Sequence, residues 1–222
     1  MFFGFDPTEI VLRVPAVLIA LTIHEFFHGY AAFCLGDNTA KWQGRLTLNP
    51  IKHLDPIGTL LLLFARFGWA KPVPVNPYNL RNPKRDMAII ALAGPVSNFV
   101  TAFFAMFIFM FLMATGWLGT GTVAMYTLMF FFNLFAINIG LGIFNLIPIP
   151  PLDGSKIFAM FLPHHLYWRY TNFRYWFVIL AILIMGSRLG INTGLGLILN
   201  PAMDAFFRGY SFVIGRFLGL FF

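Results

Sequence analysis

From Met87 to Leu152 the chain carries no Asp, Glu, Lys, Arg or His. A helix crossing a bilayer takes about 20 mostly apolar residues, so this stretch is too long for one crossing and fits two. It breaks at Gly116-Trp117-Leu118-Gly119-Thr120-Gly121, which sets spans at about 88–114 and 123–147. The composition agrees: of 222 residues, 59% are hydrophobic and 10% charged, where a soluble domain carries about 25% charged residues. A soluble globule of this size leaves roughly a third of its unfolded surface exposed and cannot hide so much apolar area. Disordered chains are poor in apolar residues and rich in charge, and this one is the opposite. A single cysteine, Cys34, excludes an internal disulfide framework. It reads as an inert buried thiol.

A further apolar run extends from about Ile10 to Leu35. Asp6 and Glu9 precede it instead of Lys or Arg, and it is too long for a cleavable leader, so it reads as a membrane span. Residues 36–86 form a loop region with prolines at 50, 56, 72, 74, 77 and 83. Within it, Ile57 to Phe67 is apolar but too short to cross and reads as re-entrant or interfacial. Lys71-Pro72-Val73-Pro74-Val75-Asn76-Pro77 reads as extended, because prolines this dense forbid a helix. Residues 153–174 read as a loop containing Lys156, Arg169 and Arg174. Tyr175 to Met185 is apolar again and stops at Gly186-Ser187-Arg188. The tail, about 194–222, is interrupted by Asn200-Pro201, Asp204, Arg208 and Arg216. The expected fold is an all-α polytopic membrane protein. It has a core of three spanning helices, a re-entrant or extended segment, and one or two further C-terminal membrane helices. The whole chain, 1–222, is expected to form one membrane-embedded domain, with its core at about 10–160 and an accessory segment at about 175–222.

Charge orients the spans. The net charge of +7 reads as the cytoplasmic excess of Lys and Arg, not as a nucleic-acid surface. Residues 36–86 contain Lys41, Arg45, Lys52, Arg66, Lys71, Arg81, Lys84 and Arg85, and the 116–121 turn contains no charge. Cationic loops stay inside. The N-terminus and the 116–121 turn are therefore expected outside, and 36–86 and 153–174 in the cytoplasm. The expected location is the cell membrane.

The first span is oddly polar near its end. His24-Glu25-Phe26-Phe27-His28 is a His-Glu-x-x-His motif. On a helix, residues i and i+4 lie about 40° apart around the axis and about 6 Å along it, so both imidazoles can reach one metal ion. The glutamate can act as general base toward a water molecule there. An ionisable cluster inside an apolar run costs free energy, which points to function. Catalytic zinc usually takes three protein ligands and keeps one position open. The remaining ligand candidates are His53, His164, His165, Asp55, Asp153 and the other carboxylates. Asp153 stands out as the first charged residue after the uncharged stretch. It follows the cytoplasmic end of the third span, at the depth of His24 and His28. An equal reading makes it the cap of a helix starting near Gly154-Ser155.

Three motifs together resemble the site-2 protease family of intramembrane zinc metalloproteases. They are His24-Glu25-x-x-His28, Gly94-Pro95-x-x-Asn98, and Asn145-x-x-Pro148-x-x-Pro151-Leu152-Asp153-Gly154. The resemblance covers about residues 10–160. Asn49-Pro50-x-x-His53-x-Asp55-Pro56-x-Gly58 is similar to the compact prokaryotic branch without a PDZ domain. The resemblance implies that His24, His28 and Asp153 hold one Zn2+ per chain, that Glu25 is the base, and that the site opens to the cytoplasm. Asn98 and Asn145 match polar positions that the family keeps near the metal.

Read chemically, either Asn98 or Asn145 can donate to a developing oxyanion, or bond between helices. His53 is either a substrate-facing residue or an interfacial loop histidine. Val73 and Val75 point their N–H and C=O groups to one edge of an extended segment, while Pro72 and Pro74 blunt the other. The open edge can pair with an unwound substrate strand; the alternative is an ordinary proline-rich interfacial loop. The expected partners are transmembrane protein substrates and the bilayer, with no nucleic acid. Two other functions fit the motifs: a metal-binding membrane transporter, whose paired halves are not visible here, and a catalytically silent relative.

Overall fold

The computed structural model describes residues 7–56, 58, 69–171, 178, 182, 186 and 195–219. The described chain is helical, with one isolated antiparallel bridge between Leu54 and Ala70. Among the described residues three helices are long and apolar enough to cross a membrane: α1 (Pro7–Cys34), α3 (Pro83–Thr115) and α4 (Thr122–Asn145). A four-residue helix, α2 (Thr39–Trp42), follows α1. Two short helices, α5 (Asp153–Ala159) and α6 (His164–Thr171), follow α4, and α7 (Leu195–Leu218) closes the described chain. The protein is an all-α polytopic membrane protein.

The boundaries have local causes. Helix α3 starts earlier than the hydropathy predicts because Asn82 caps it, accepting from the Arg85 N–H at 3.4 Å, with Pro83 in its first turn. Asp86 returns the contact by accepting from the Asn82 N–H at 2.9 Å. The helix ends at Gly116, whose φ of 60° is left-handed. Residues 153–174, expected as a loop, contain α5 and α6 over 153–171, with Lys156 on the first and Arg169 on the second; Arg174 lies outside the described residues. The apolar stretch at 57–67 falls outside the described residues except for Gly58. The element expected at 175–185 does so except for Val178 and Ile182. The tail is one helix, α7, despite Pro201.

Packing is the reverse of a soluble domain. Small residues fill the contacts between helices: Ala16, Ala20, Ala91, Ala102 and Ala105 are at most 2% exposed. Large apolar side chains such as Val100, Phe104 and Met113 face outward. Between helices in lipid, small residues let backbones approach, and close packing replaces the hydrophobic drive. Helix α3 is the hub and packs against α1, α4, α5 and α7. On α7, Phe206 stacks on Phe99 with ring centroids 4.7 Å apart, Tyr210 donates to the Phe99 carbonyl, and Ile214 is buried in the same cluster. Cys34, expected to be buried, is exposed. As the last residue of α1 it lies about 200° around the axis from Ala32, which packs beside Leu80 and Ile90.

Candidate metal centre

His24, Glu25 and His28 sit on α1, with both imidazoles buried and turned toward α3. What they meet there is Gly94. A Cβ at that position would stand 2.5 Å from His28 Cε1 and 2.7 Å from His24 Cε1, so only glycine leaves room for the two rings. Asp153 arrives from the other side, as the first residue of α5. The turn carrying it folds tightly onto the end of α4. A Cβ at Gly154 would lie 2.2 Å from the Leu146 carbonyl oxygen.

His24 Nε2, His28 Nε2 and Asp153 Oδ2 converge. Asp153 Oδ2 lies 3.1 Å from the first and 3.0 Å from the second, and the two nitrogens are 2.9 Å apart. This is one compact, buried group of metal-ligating residues among the described residues. The far side of each ring sets its chemistry. His28 donates its Nδ1–H to the Ile90 carbonyl at 2.7 Å, and His24 donates its Nδ1–H to Asn98 Oδ1 at 2.6 Å. Both Nε2 atoms therefore present lone pairs. Two imidazole lone pairs and a carboxylate oxygen at these separations repel unless a cation lies between them. The donor set, two His nitrogens and one carboxylate, is one that zinc takes in catalytic sites. The residues present fit the metal.

Asp153 does not cap its helix. The cap position is Leu152, with no side-chain bond. The second oxygen of Asp153 accepts from Lys156 Nζ at 3.2 Å.

Glu25 is half-buried beside this group, and its Oε2 accepts the Val73 N–H at 2.8 Å. The proline-rich segment thus lies against the helix that carries the motif. It is held at both ends. Arg45 Nη2 donates to the Lys71 carbonyl at 2.6 Å, and the Lys71 N–H donates to the His53 carbonyl at 2.8 Å. At the other end Asp37 Oδ2 accepts the Asn76 N–H at 2.7 Å, and its Oδ1 accepts from Asn79 Nδ2 at 2.7 Å and from the Thr39 N–H and hydroxyl. Asp37 is fully buried. Burial raises its carboxyl, yet these donors prevail and its pKa lies below 3.8. On the edge carrying Val73 and Val75, the Val73 N–H is already donated to Glu25. Val75 has no hydrogen bond among the described residues.

The other polar residues separate by position. Asn98 is fully buried, and its Nδ2 donates to the Ala20 carbonyl at 3.2 Å and to Asn138 Oδ1 at 2.8 Å. Both its hydrogens are engaged, so it has none for an oxyanion; its oxygen orients His24. Asn145 is half-buried and donates to the Leu141 carbonyl at 3.0 Å. His53 is 2% exposed, bonds the Thr47 carbonyl through Nε2 at 2.8 Å, and lies outside the converging group. Asp55 accepts from the Gly58 N–H at 2.8 Å, and His165 is exposed. Sequence reasoning passed over Asn138, Asp37 and Arg45. For Asn138 a signal existed: an amide in the middle of an uncharged span needs a partner.

A family model described as Peptidase family M50 matches residues 119–186. The protein called "Putative zinc metalloprotease YwhC" in Bacillus subtilis (strain 168) is 38% identical over 198 residues, which is 89% of this chain and 90% of the relative. A zinc metalloprotease by name in Methanocaldococcus jannaschii, MJ0611, is 39% identical over 158 residues, 69% of this chain and 72% of the relative. The similarly named Rip2 of Mycolicibacterium smegmatis is 31% identical over 150 residues, 65% of this chain and 54% of the relative. No solved structure matches the chain.

Proposed function

The chain belongs to peptidase family M50, a family of zinc metalloproteases, and on that premise we propose that it cuts peptide bonds within or near transmembrane segments of other membrane proteins. The observation carrying this reading is the meeting of two imidazole lone pairs and a carboxylate between helices long and apolar enough to cross a bilayer. His24, His28 and Asp153 would hold the zinc. When bound there, zinc lowers the pKa of water to about 7 and polarises the scissile carbonyl.

The protein residues do the rest. Glu25 takes the proton of the attacking water and later delivers it to the leaving amine. Asn145, whose amide uses one hydrogen on the Leu141 carbonyl, donates the other to the oxyanion. A substrate helix closes its own peptide groups by hydrogen bonding, so it must unwind before its carbonyl reaches the site. The edge of residues 71–76 receives the unwound strand: Val75 and the Val73 carbonyl supply the pairing groups, while the Val73 N–H holds the base. The water needed for hydrolysis enters from the cytoplasmic side, an orientation that the positive charge of residues 36–86 supports. The chain acts as a single membrane-embedded unit, with residues 175–222 accessory to a catalytic core at about 10–160.

Purified protein tested for zinc and for cleavage of a model membrane peptide decides the reading. Stoichiometric zinc, with cleavage that a chelator abolishes, is the expected result. Stoichiometric zinc without cleavage of any membrane peptide overturns it in favour of a metal transporter or a silent relative.

A further inference from the structure

We propose that Asn138 is a positioning residue for the metal centre: through Asn98 it sets the tautomer of His24, so that the Nε2 lone pair points at Asp153 and His28. The inference rests on the metal-site reading above.

The direction of every bond in this chain follows from one backbone carbonyl. Asn138 lies on α4, fully buried, and donates Nδ2–H to the Leu134 carbonyl at 2.8 Å. A carbonyl only accepts, so the nitrogen of Asn138 must face it, and the oxygen faces α3. That oxygen accepts from Asn98 Nδ2 at 2.8 Å, while the second hydrogen of the same amide goes to the Ala20 carbonyl at 3.2 Å. With its nitrogen committed to two acceptors, Asn98 has only its oxygen to offer His24 Nδ1, at 2.6 Å. His24 then keeps its proton on Nδ1. Were Asn98 reversed, its NH2 would face Nδ1, and the imidazole proton would move to Nε2, into the ligand position. Reversal would also set the Asn98 oxygen against two oxygens, Ala20 O and Asn138 Oδ1. His28 needs no such relay, because the Ile90 carbonyl holds its Nδ1–H directly.

An amide in this place also ties α3 to α4, as buried amides in membrane helices do. That structural task affects stability alone. The relay predicts changes in zinc affinity and in the state of the His24 ring. The test uses the full chain in detergent, with zinc affinity measured by chelator competition and the ring state read from 15N signals of labelled histidine.

Asn138→Leu removes the acceptor. Asn138→Ser is the gentler variant, its hydroxyl bonding back to the Leu134 carbonyl and losing its reach to Asn98. Both are expected to weaken zinc binding about 10–100-fold, the usual effect of losing a group that orients a ligand, and to mix the His24 tautomers. Asn138→Asp, held neutral by burial, donates through O–H and accepts through C=O, and restores most of the affinity. Wild-type zinc affinity and an unmixed His24 tautomer in Asn138→Ser overturn the relay, whatever happens to stability. Zinc bound by His24 through Nδ1 in the wild type also overturns it. His24→Ala separates the two levels: a loss of zinc there supports the site on which the relay rests, and unchanged zinc removes both.

Discussion

Glu25 and Asp153 differ in what they do for the centre, and substitution separates them. Glu25 is outside the converging trio, with its carboxylate on the Val73 N–H. Glu25→Gln should therefore keep zinc at wild-type stoichiometry and lose cleavage by at least about 10²–10⁴-fold, the usual weight of a general base. Zinc analysis beside a peptide-cleavage assay checks both halves. Asp153 is the opposite case. Its carboxylate faces both imidazoles and does not cap its helix. Asn serves as well as Asp near a helix start but brings no charge to a cation. Asp153→Asn should fold and insert normally while zinc affinity and cleavage both fall. Full zinc and full cleavage in that variant would remove Asp153 from the ligand set.

At the scale of an element, the segment 71–76 has no helix or strand of its own. Its position comes from side chains of the preceding loop, and Asp37 is the principal anchor. Asp37→Ala leaves the Asn76 N–H and the Asn79 amide without their acceptor, and should cost about 3 kcal/mol through lost charge-assisted bonds. The pH dependence has a definite sign. The folded carboxyl titrates below the unfolded value of 3.8, so the bonds contribute fully above about pH 4, and stability falls as pH drops through the lower folded value. Chemical-unfolding midpoints between about pH 2.5 and 6 should show this acid limb in the wild type and flatten it in Asp37→Ala. The pairing role of the segment has its own test. Val75→Pro removes the N–H still open on the edge, leaves the Val73 bond to Glu25 in place, and should slow cleavage with zinc still bound. Unchanged cleavage would leave the segment as a plain interfacial loop.

For the whole molecule, orientation follows from charge. Residues 36–86 carry eight Lys and Arg, and the 116–121 turn none. In a Cys34→Ser background, single cysteines in 69–86 should react with an impermeant thiol reagent only from the cytoplasmic side, and cysteines in 116–121 only from outside. Native Cys34, exposed at the end of α1, should label from the cytoplasm. The reverse pattern would put the metal centre at the other face of the membrane.

The three spanning helices and the His-Glu-x-x-His motif were legible in the sequence because each depends on neighbours in the chain. Hydropathy over about 20 residues sets a crossing, and a helical period sets His24 beside His28. The long uncharged stretch and its glycine break placed α3 and α4 to within a few residues. The sequence left Asp153 divided between ligand and cap, since both readings satisfy the local pattern; the α4–α5 turn sets its carboxylate against the two imidazoles and leaves the cap position to Leu152. Asn98 and Asn145 looked alike along the chain. Their partners lie on other helices, which leave Asn98 sealed behind His24 and Asn145 half-open. Asn138, Asp37 and Gly94 acquire their meaning the same way, from groups that are between 39 and 70 residues distant. Periodicity determines which residues share a face of one helix. Which faces meet, and therefore which polar groups find partners, is decided by packing between helices, and no local signal in the sequence encodes it.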